Sequence, residues 1–493
     1  MRYTLGIDLG AGSLKAMVVD ATGHLAGEAS CPITTYIPQP GQAEQNPADW
    51  QAALGVAVPA ALAAAGIAAT EIAAIGVSAG AHIPVLVDAS GEVIRPAIMW
   101  SDQRSLAEAQ ALHAKAGDMM IKTSLNRVNP TWTLAMLAWL QNHEPASIAR
   151  TAKLFLAKDY VRYCLTGTWE TDFSDAIGTL MADDATKNWS TEICALIGWN
   201  MQTLPPIKPA TAIVGSVTAA AAALTGLVAG TPLICGANDT TVEFFGVGAI
   251  TPGIGAVKLA TAGVLFLATA GQSVHPPVSC YPHIIKGLYY TATGTNSCAS
   301  AHRWLRDTMF ATGGFAEMDA LAATIPPGSG GLIFHPYLQG ERAPYWDPHL
   351  RADFIGLTIA HTRAHFARAL YEGIAFSIRD VLQAAQALGL QYGTIRLMGG
   401  GAKSPTWRQI IADVTGLEVE VMETTDASFG AALLAGVGVG VFATPEAAVA
   451  SCVRRVAFGS PDAAHHALYT KQFAIYKAAQ AALAPLSHRL GSL

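Results

Sequence analysis

Two aspartates, Asp8 and Asp239, each end a short apolar run and are followed by small or polar residues, a position that presents a carboxylate in a crevice. Three glycine-rich turns accompany them. The first is Asp8-Leu9-Gly10-Ala11-Gly12-Ser13, with Lys15 beyond it; the second is Thr261-Ala262-Gly263; the third is Gly399-Gly400-Gly401-Ala402-Lys403-Ser404. Backbone N–H groups converge in such turns with no side chain in the way, so the turns suit phosphate oxygens. Carboxylates beside them would serve phosphoryl transfer: one can hold Mg²⁺ through its waters, and another can take the proton of the attacking hydroxyl. The residues alone leave a plainer reading open, because most glycine turns are only turns and most such aspartates cap a turn or a helix. None of the three turns has the Walker A spacing, and the first lacks the dinucleotide-binding GxGxxG spacing, so a nucleotide would have to be bound in another way.

The elements that must position these residues are legible in outline. Tyr3–Leu9, Leu14–Asp20 and residues 24–31 read as an antiparallel meander that carries Asp8 at its first turn. Asn46-Pro47 suits the start of a helix from Pro47 to Ala65, and residues 73–77 read as a buried strand. A second meander, Ile254–Leu259 and residues 264–268, flanks the second glycine turn, so the chain is read as duplicated in topology. The lobe boundary is placed near Gly246–Thr251, giving domains 1–246 and 247–493. The last part reads as a helix over 364–388, a strand at Thr394–Met398, the third turn, and helices over 407–414 and 429–436.

Composition narrows the class. The chain has 493 residues, of which 51% are hydrophobic and 13% charged, and 47 are glycine, as expected of a large α/β enzyme with many tight turns. A net charge of −6 without a long basic run gives no nucleic-acid footprint. The 7 cysteines are scattered singly, which predicts reduced thiols and a cytoplasmic location in place of a disulfide framework or structural zinc. Residues 209–238 carry no charge, but Gly226, Gly230 and Thr231-Pro232 break them, so no membrane span is expected there.

Six ordered segments carry a resemblance to a known family. They are LGIDLGAGSLKAMVVD at the start, IMWSDQRS at 98–105, TDFSDAIGTLMAD at 171–183, ICGANDTTVEFFGVG at 234–248, YLQGERAPYWDPHLRADFIGLT at 337–358 and RLMGGGAKSPTWRQIIADVTG at 396–416. Through them the chain resembles the FGGY carbohydrate kinases, most of all their xylulokinase branch, from Asp8 almost to the C-terminus. The resemblance implies two actin-like (ribonuclease H-like) α/β ATPase domains with a cleft between them, ATP and Mg²⁺ as cofactors, a small sugar as partner, and no nucleic acid or membrane; it admits a homodimer.

The resemblance also implies roles. Asp239 matches the catalytic base, and Asp8 and Asp239 the residues that organise Mg²⁺. Gly10, Gly12, Ser13 and Lys15 match the first phosphate turn, with Ala11 where the family usually has Thr, and Thr261 and Gly263 match the second. Gly400, Gly401, Ala402 and Ser404 match the nucleotide segment, with Trp407 and Gln409 as neighbours. His82, Trp100, Asp102, Arg104, Asp239 and Thr240 match the sugar side. Gly80-Ala81 and Ile83-Pro84 depart from the xylulokinase pattern around His82, Thr240 stands in place of Asn, and Met136 stands in place of Lys. Two features are read as structural: Arg342 as a loop brace, and Trp132, Met136 and Trp139 as a packing stripe. The implied reaction is ATP-dependent phosphorylation of D-xylulose to D-xylulose 5-phosphate. Another ketopentose, a pentitol or a sugar acid is the alternative acceptor, and an actin-like ATPase without a sugar acceptor is the reading from another class.

Overall fold

The computed structural model describes residues 2–310 and 314–491. Runs of apolar and β-branched residues form the meander Tyr3–Leu9, Ser13–Asp20 and Leu25–Pro32. Tyr3–Leu9 then pairs in parallel with Ile72–Ala79, which pairs in parallel with Pro232–Ile234, and Ile213–Ser216 closes the edge antiparallel. Leu5, Ile7, Ile75 and Val77 are fully buried on one face. The Pro47–Ala65 helix packs there; Asn46 caps it, Pro47 begins it, and Trp50, Leu54 and Val58 form its buried stripe. Among the described residues this is the one helix long and apolar enough to cross a membrane, and in this fold it is the helix that covers the sheet. The uncharged stretch 209–238 is broken into strand, the short helix Ala219–Thr225, and strand.

The opposite face of that sheet builds the site. Gly6 and Gly76 are paired neighbours there, and a Cβ on either would lie 1.7 Å from the Ser428 carbonyl oxygen or 2.2 Å from that of Ala431. The missing side chains let the Ala427–Gly438 helix lie directly on the strands. Gly430 on that helix in turn admits the Asp239–Gly246 helix, since a Cβ there would sit 1.9 Å from the Val242 carbonyl oxygen. Side chains alternate along a strand, so Asp8 and Ser78, two residues beyond Gly6 and Gly76, share this face and meet the start of the Ala427–Gly438 helix.

This packing divides the chain at more than one point. The first unit takes in the residues up to Ile250 together with Ala270–Tyr290 and Thr424–Val453, while the second consists of Thr251–Thr269, Thr291–Glu423 and the residues from Arg454 onward. In the second unit Gly263–Thr269 pairs antiparallel with Ile254–Leu259, which is followed in parallel by Thr394–Met398 and Glu418–Met422 and then antiparallel by Arg455–Gly459. The succession antiparallel, parallel, parallel, antiparallel is that of the first sheet, so the duplication of topology is real. The long helix Arg363–Ala387 and the helix Pro405–Thr415 bury Tyr371, Phe376, Trp407 and Ile411 in the second core.

Candidate active site

Asp8 lies in the last turn-ward residues of its strand and pairs in register with Ser78 on one side and Lys15 on the other. The Ser78 hydroxyl donates a 2.7 Å hydrogen bond to Asp8 Oδ1. Burial, then the Asp239 carboxylate, push the Asp8 carboxyl up to about 8; the Ser78 hydrogen bond opposes them, and Asp426 and Glu243 add further repulsion. Asp8 thus lies in the field of three further carboxylates.

Asp239 begins the Asp239–Gly246 helix, and capping falls to its neighbour: Asn238 Oδ1 accepts from the Thr241 N–H at 2.9 Å. The plainer reading of Asp239 as the cap therefore does not apply. Thr240 donates to Asp239 Oδ1 through its N–H at 2.6 Å and its hydroxyl at 3.2 Å, which orients the carboxylate.

The first glycine turn exposes Ala11 and Gly12 and is braced by hydrogen bonds. Gly10 N–H donates to the Ser13 carbonyl at 3.0 Å. Gln45, fully buried, donates to the Ala11 carbonyl at 2.8 Å and accepts from the Trp50 indole at 2.9 Å; the Thr35 hydroxyl reaches the same carbonyl. Sequence reasoning missed this brace because Gln45 and Ala11 are far apart in the chain. At Gly12 an added Cβ would meet nothing within 4 Å, and φ is not positive. Among the described glycines only Gly271 and Gly400 share both properties, so neither packing nor backbone conformation explains the glycine at these places. Two of the three lie in turns singled out for phosphate. The Lys15 ammonium is held by Asp426 at 3.0 Å and Glu28 at 3.3 Å.

In the second unit the turn residue Thr261 accepts from the Ser300 hydroxyl through its carbonyl and from Arg303 through its Oγ1 at 2.9 Å. Gly263 has a packing reason: a Cβ there would lie 2.7 Å from Thr295 Oγ1. Gly400 is exposed, Ala402 is buried, and a Cβ on Gly401 would strike the Trp407 ring at 2.6 Å. Ser404 caps the Pro405–Thr415 helix through the Trp407 N–H at 3.0 Å and also bonds Asp319. Trp407 is a core residue stacked on Tyr371, and Gln409 is bound to Asp413 and the Ser460 carbonyl. Arg342 donates to the Thr295 carbonyl at 3.0 Å, in keeping with a brace.

The sugar-side candidates separate. Asp102 and Arg104 are turned on each other: the guanidinium grips Asp102 Oδ2 at 2.8 Å and Glu44 Oε1 at 2.7 Å, the Ala43 N–H donates to Asp102 Oδ2 at 2.6 Å, and Arg104 lies over the Trp139 ring. That pair holds the segment together, and Trp100 is the residue of the segment that offers an exposed ring. His82 has a different setting. Its Nδ1–H donates to the Gly178 carbonyl at 2.6 Å, and burial pushes the imidazole down to about 4, so it is neutral and Nε2 is an acceptor. Its ring stacks on Trp132 at 4.2 Å, and Tyr281 follows at 5.8 Å from Trp132. Tyr281 stacks on Tyr290, whose hydroxyl meets Thr241 Oγ1 at 2.9 Å. Burial holds the Tyr281 phenol above its ordinary value, and the Asp239 carboxylate adds to the effect. An aromatic wall thus runs from His82 to the Asp239 helix. Met136 is fully buried, as its place in a packing stripe requires, whereas Trp132 belongs to the wall.

Among the described residues no group of three or more His, Cys, Asp or Glu side chains forms a protein cage for a metal ion. Within the first unit, an open glycine turn, the Asp8 and Asp239 carboxylates and a neutral acceptor on an aromatic wall are groups of the kind that phosphoryl transfer to a polyhydroxyl compound uses.

Known proteins agree with this reading. The model of the FGGY family of carbohydrate kinases, N-terminal domain, matches residues 3–246, and that of its C-terminal domain matches residues 259–439. The chain is 33% identical over 480 residues to a xylulose kinase of Bacillus subtilis, covering 97% of this chain and 96% of that one. It is 31% identical over 504 residues to the L-xylulose/3-keto-L-gulonate kinase of Escherichia coli, covering 98% and 97%. The solved structure of a xylulose kinase from Rhodospirillum rubrum superposes with a TM-score of 0.90 at 30% identity, over 99% of this chain and 100% of that one. With both halves of the chain matched, the protein belongs to the FGGY family of carbohydrate kinases.

Proposed function

We propose that this carbohydrate kinase transfers the γ-phosphoryl group of ATP to the terminal hydroxyl of D-xylulose, giving D-xylulose 5-phosphate and ADP. The observation that carries the reading is the Asp8–Asp239 pair, close enough that the charge of one raises the carboxyl of the other, beside a turn whose Gly12 nothing in the protein fills. The likeness to xylulose kinases along nearly the whole chain supports the acceptor.

Asp239 takes the proton of the acceptor hydroxyl as its oxygen bonds to the γ-phosphorus, and the bond from that phosphorus to the β–γ bridging oxygen breaks, releasing ADP. Thr240 orients the carboxylate for this. His82 Nε2 accepts a hydrogen bond from a sugar hydroxyl, and Trp100 offers a ring for its C–H face. Gly12 and Ser13 present N–H groups to phosphate, while the Gly10 N–H closes the turn on the Ser13 carbonyl; in the second unit Thr261, Gly400 and Gly401 present theirs to nucleotide, while the Ala402 N–H is taken by the Gly399 carbonyl. Two carboxylates whose charges act on each other suit Mg²⁺, which is usually held by one or two carboxylates with water and substrate phosphates in place of a full protein cage. Asp8 and Asp239 would hold it, and when bound it supplies charge neutralisation at the β- and γ-phosphates.

The test is an ADP-release assay over a panel of D-xylulose, L-xylulose, D-ribulose, xylitol and gluconate. D-xylulose should give the highest kcat/KM. A pentitol or sugar acid in first place overturns the acceptor, and ATP turnover that no carbohydrate stimulates overturns the kinase reading.

A further inference from the structure

The loop that joins the Pro232–Ile234 strand to the Asp239 helix rests on a buried cluster of charges. Lys158 and Arg162, on the Ala157–Thr166 helix, have fully buried side chains. Lys158 Nζ donates to the Cys235 carbonyl at 3.2 Å and to Asp159 Oδ1 at 2.7 Å, and lies 3.1 Å from Asp172 Oδ1 and 3.5 Å from Asp175 Oδ2. Arg162 Nη1 donates to the same Cys235 carbonyl at 2.8 Å. On the other side of the loop, Asp172 Oδ2 accepts from the Ser174 hydroxyl at 2.5 Å, and Ser174 Oγ accepts the Asn238 N–H at 3.3 Å. Asn238, the residue next to Asp239, also caps the helix that Asp239 begins. The loop is therefore fixed by its first carbonyl and by its last N–H, and both fixings lead back to Lys158.

A buried ion network is weak evidence for stability. Replacing a buried ion network by apolar residues of equal volume is often neutral or stabilising, and here Asp159 Oδ2, Asp172 Oδ1 and Asp175 Oδ2 are buried without an aligned hydrogen bond. Burial would strip Lys158 of its charge, but the surrounding Asp159, Asp172 and Asp175 carboxylates outweigh it and hold the ammonium above its ordinary value. What the network achieves is the placement of a short loop, and reaction rates respond steeply to placement.

We infer that Lys158 is a positioning residue for phosphoryl transfer, setting the Asp239 carboxylate through the Cys235 carbonyl and the Asp172–Ser174–Asn238 relay. The inference rests on reading Asp239 as the base. The test uses the full-length enzyme with Lys158→Met, Ser174→Ala and the double variant, measuring kcat, both KM values and thermal melting with the best sugar of the panel. Lys158→Met should lower kcat about 10²-fold and Ser174→Ala about 10-fold, with both KM values within about 3-fold of wild type. The double variant should be no slower than Lys158→Met, because both changes break one relay. A kcat within about 2-fold of wild type for folded Lys158→Met, or a change in KM alone, overturns the inference, by the same yardstick of placement. Should Lys158→Met fail to fold, Ser174→Ala decides: it loses one hydroxyl, and an unchanged kcat overturns the relay. Asp239→Asn, assayed alongside, keeps the two readings apart, since turnover in that variant sinks the base assignment whatever Lys158 does.

Discussion

The Ser78 hydroxyl donates to the Asp8 carboxyl across a parallel strand pair whose two preceding glycines, Gly6 and Gly76, seat the Ala427–Gly438 helix. One strand face thus serves both packing and chemistry, and the alternation of side chains puts the carboxyl at the helix start, in the field of Asp426, Glu243 and Asp239.

That field makes stability depend on pH. Asp8 holds its proton up to about 8 in the fold, against an ordinary value of 3.8. A carboxyl whose folded value is raised contributes stability that is fully present below its unfolded value and is lost as pH rises toward the folded one, here between about 4 and about 8. Melting temperature of the ligand-free enzyme should fall across that window through Asp8, and Asp8→Asn should flatten the curve. A variant curve parallel to wild type would count against the crowded carboxyl.

Gly12 and Gly76 should respond oppositely to alanine. Nothing lies within 4 Å of a Cβ at Gly12, so Gly12→Ala should leave stability unchanged or raise it by about 0.4–1 kcal/mol, while the KM for ATP rises about 10-fold. At Gly76 a Cβ would lie 2.2 Å from the Ala431 carbonyl oxygen, and Gly76→Ala should cost about 1–3 kcal/mol or more. Denaturant melts with ATP titrations check both, and an unaltered ATP KM for Gly12→Ala would mean that phosphate does not approach there.

His82 has φ 71°, a region Asn tolerates better than most residues. His82→Asn should therefore fold normally while it loses the stack on Trp132 and the placed Nε2 acceptor. The sugar KM should rise about 10-fold, the effect of one hydrogen bond with part of a ring contact, with the ATP KM unchanged. Equal changes in both KM values would remove His82 from the sugar side.

Local signals in the sequence located the elements well. Asn46-Pro47 marks the Pro47–Ala65 helix, and Tyr3–Leu9, Ile254–Leu259 and Thr394–Met398 occupy the residues their patterns indicate. What depended on distant partners was out of reach. Asp102 and Arg104 match the sugar side by resemblance, and in the fold they close on each other and on Glu44. Gly263 looks like a phosphate glycine, yet Thr295 requires it. Tyr281 and Lys158 carry no local mark of their surroundings, and the return of Thr424–Val453 to the first unit is written in Gly6, Gly76 and Gly430, whose meaning appears only once the helix is in place.

The central claim is that Asp239 accepts the hydroxyl proton, and Asp239→Asn tests it most directly. The substitution keeps the size of the side chain and its place at the start of the helix, so sugar and ATP should still bind by calorimetry. Phosphorylation should fall at least ~10²-fold, the lower range for a positioned base. Near-normal turnover in that variant would contradict the account.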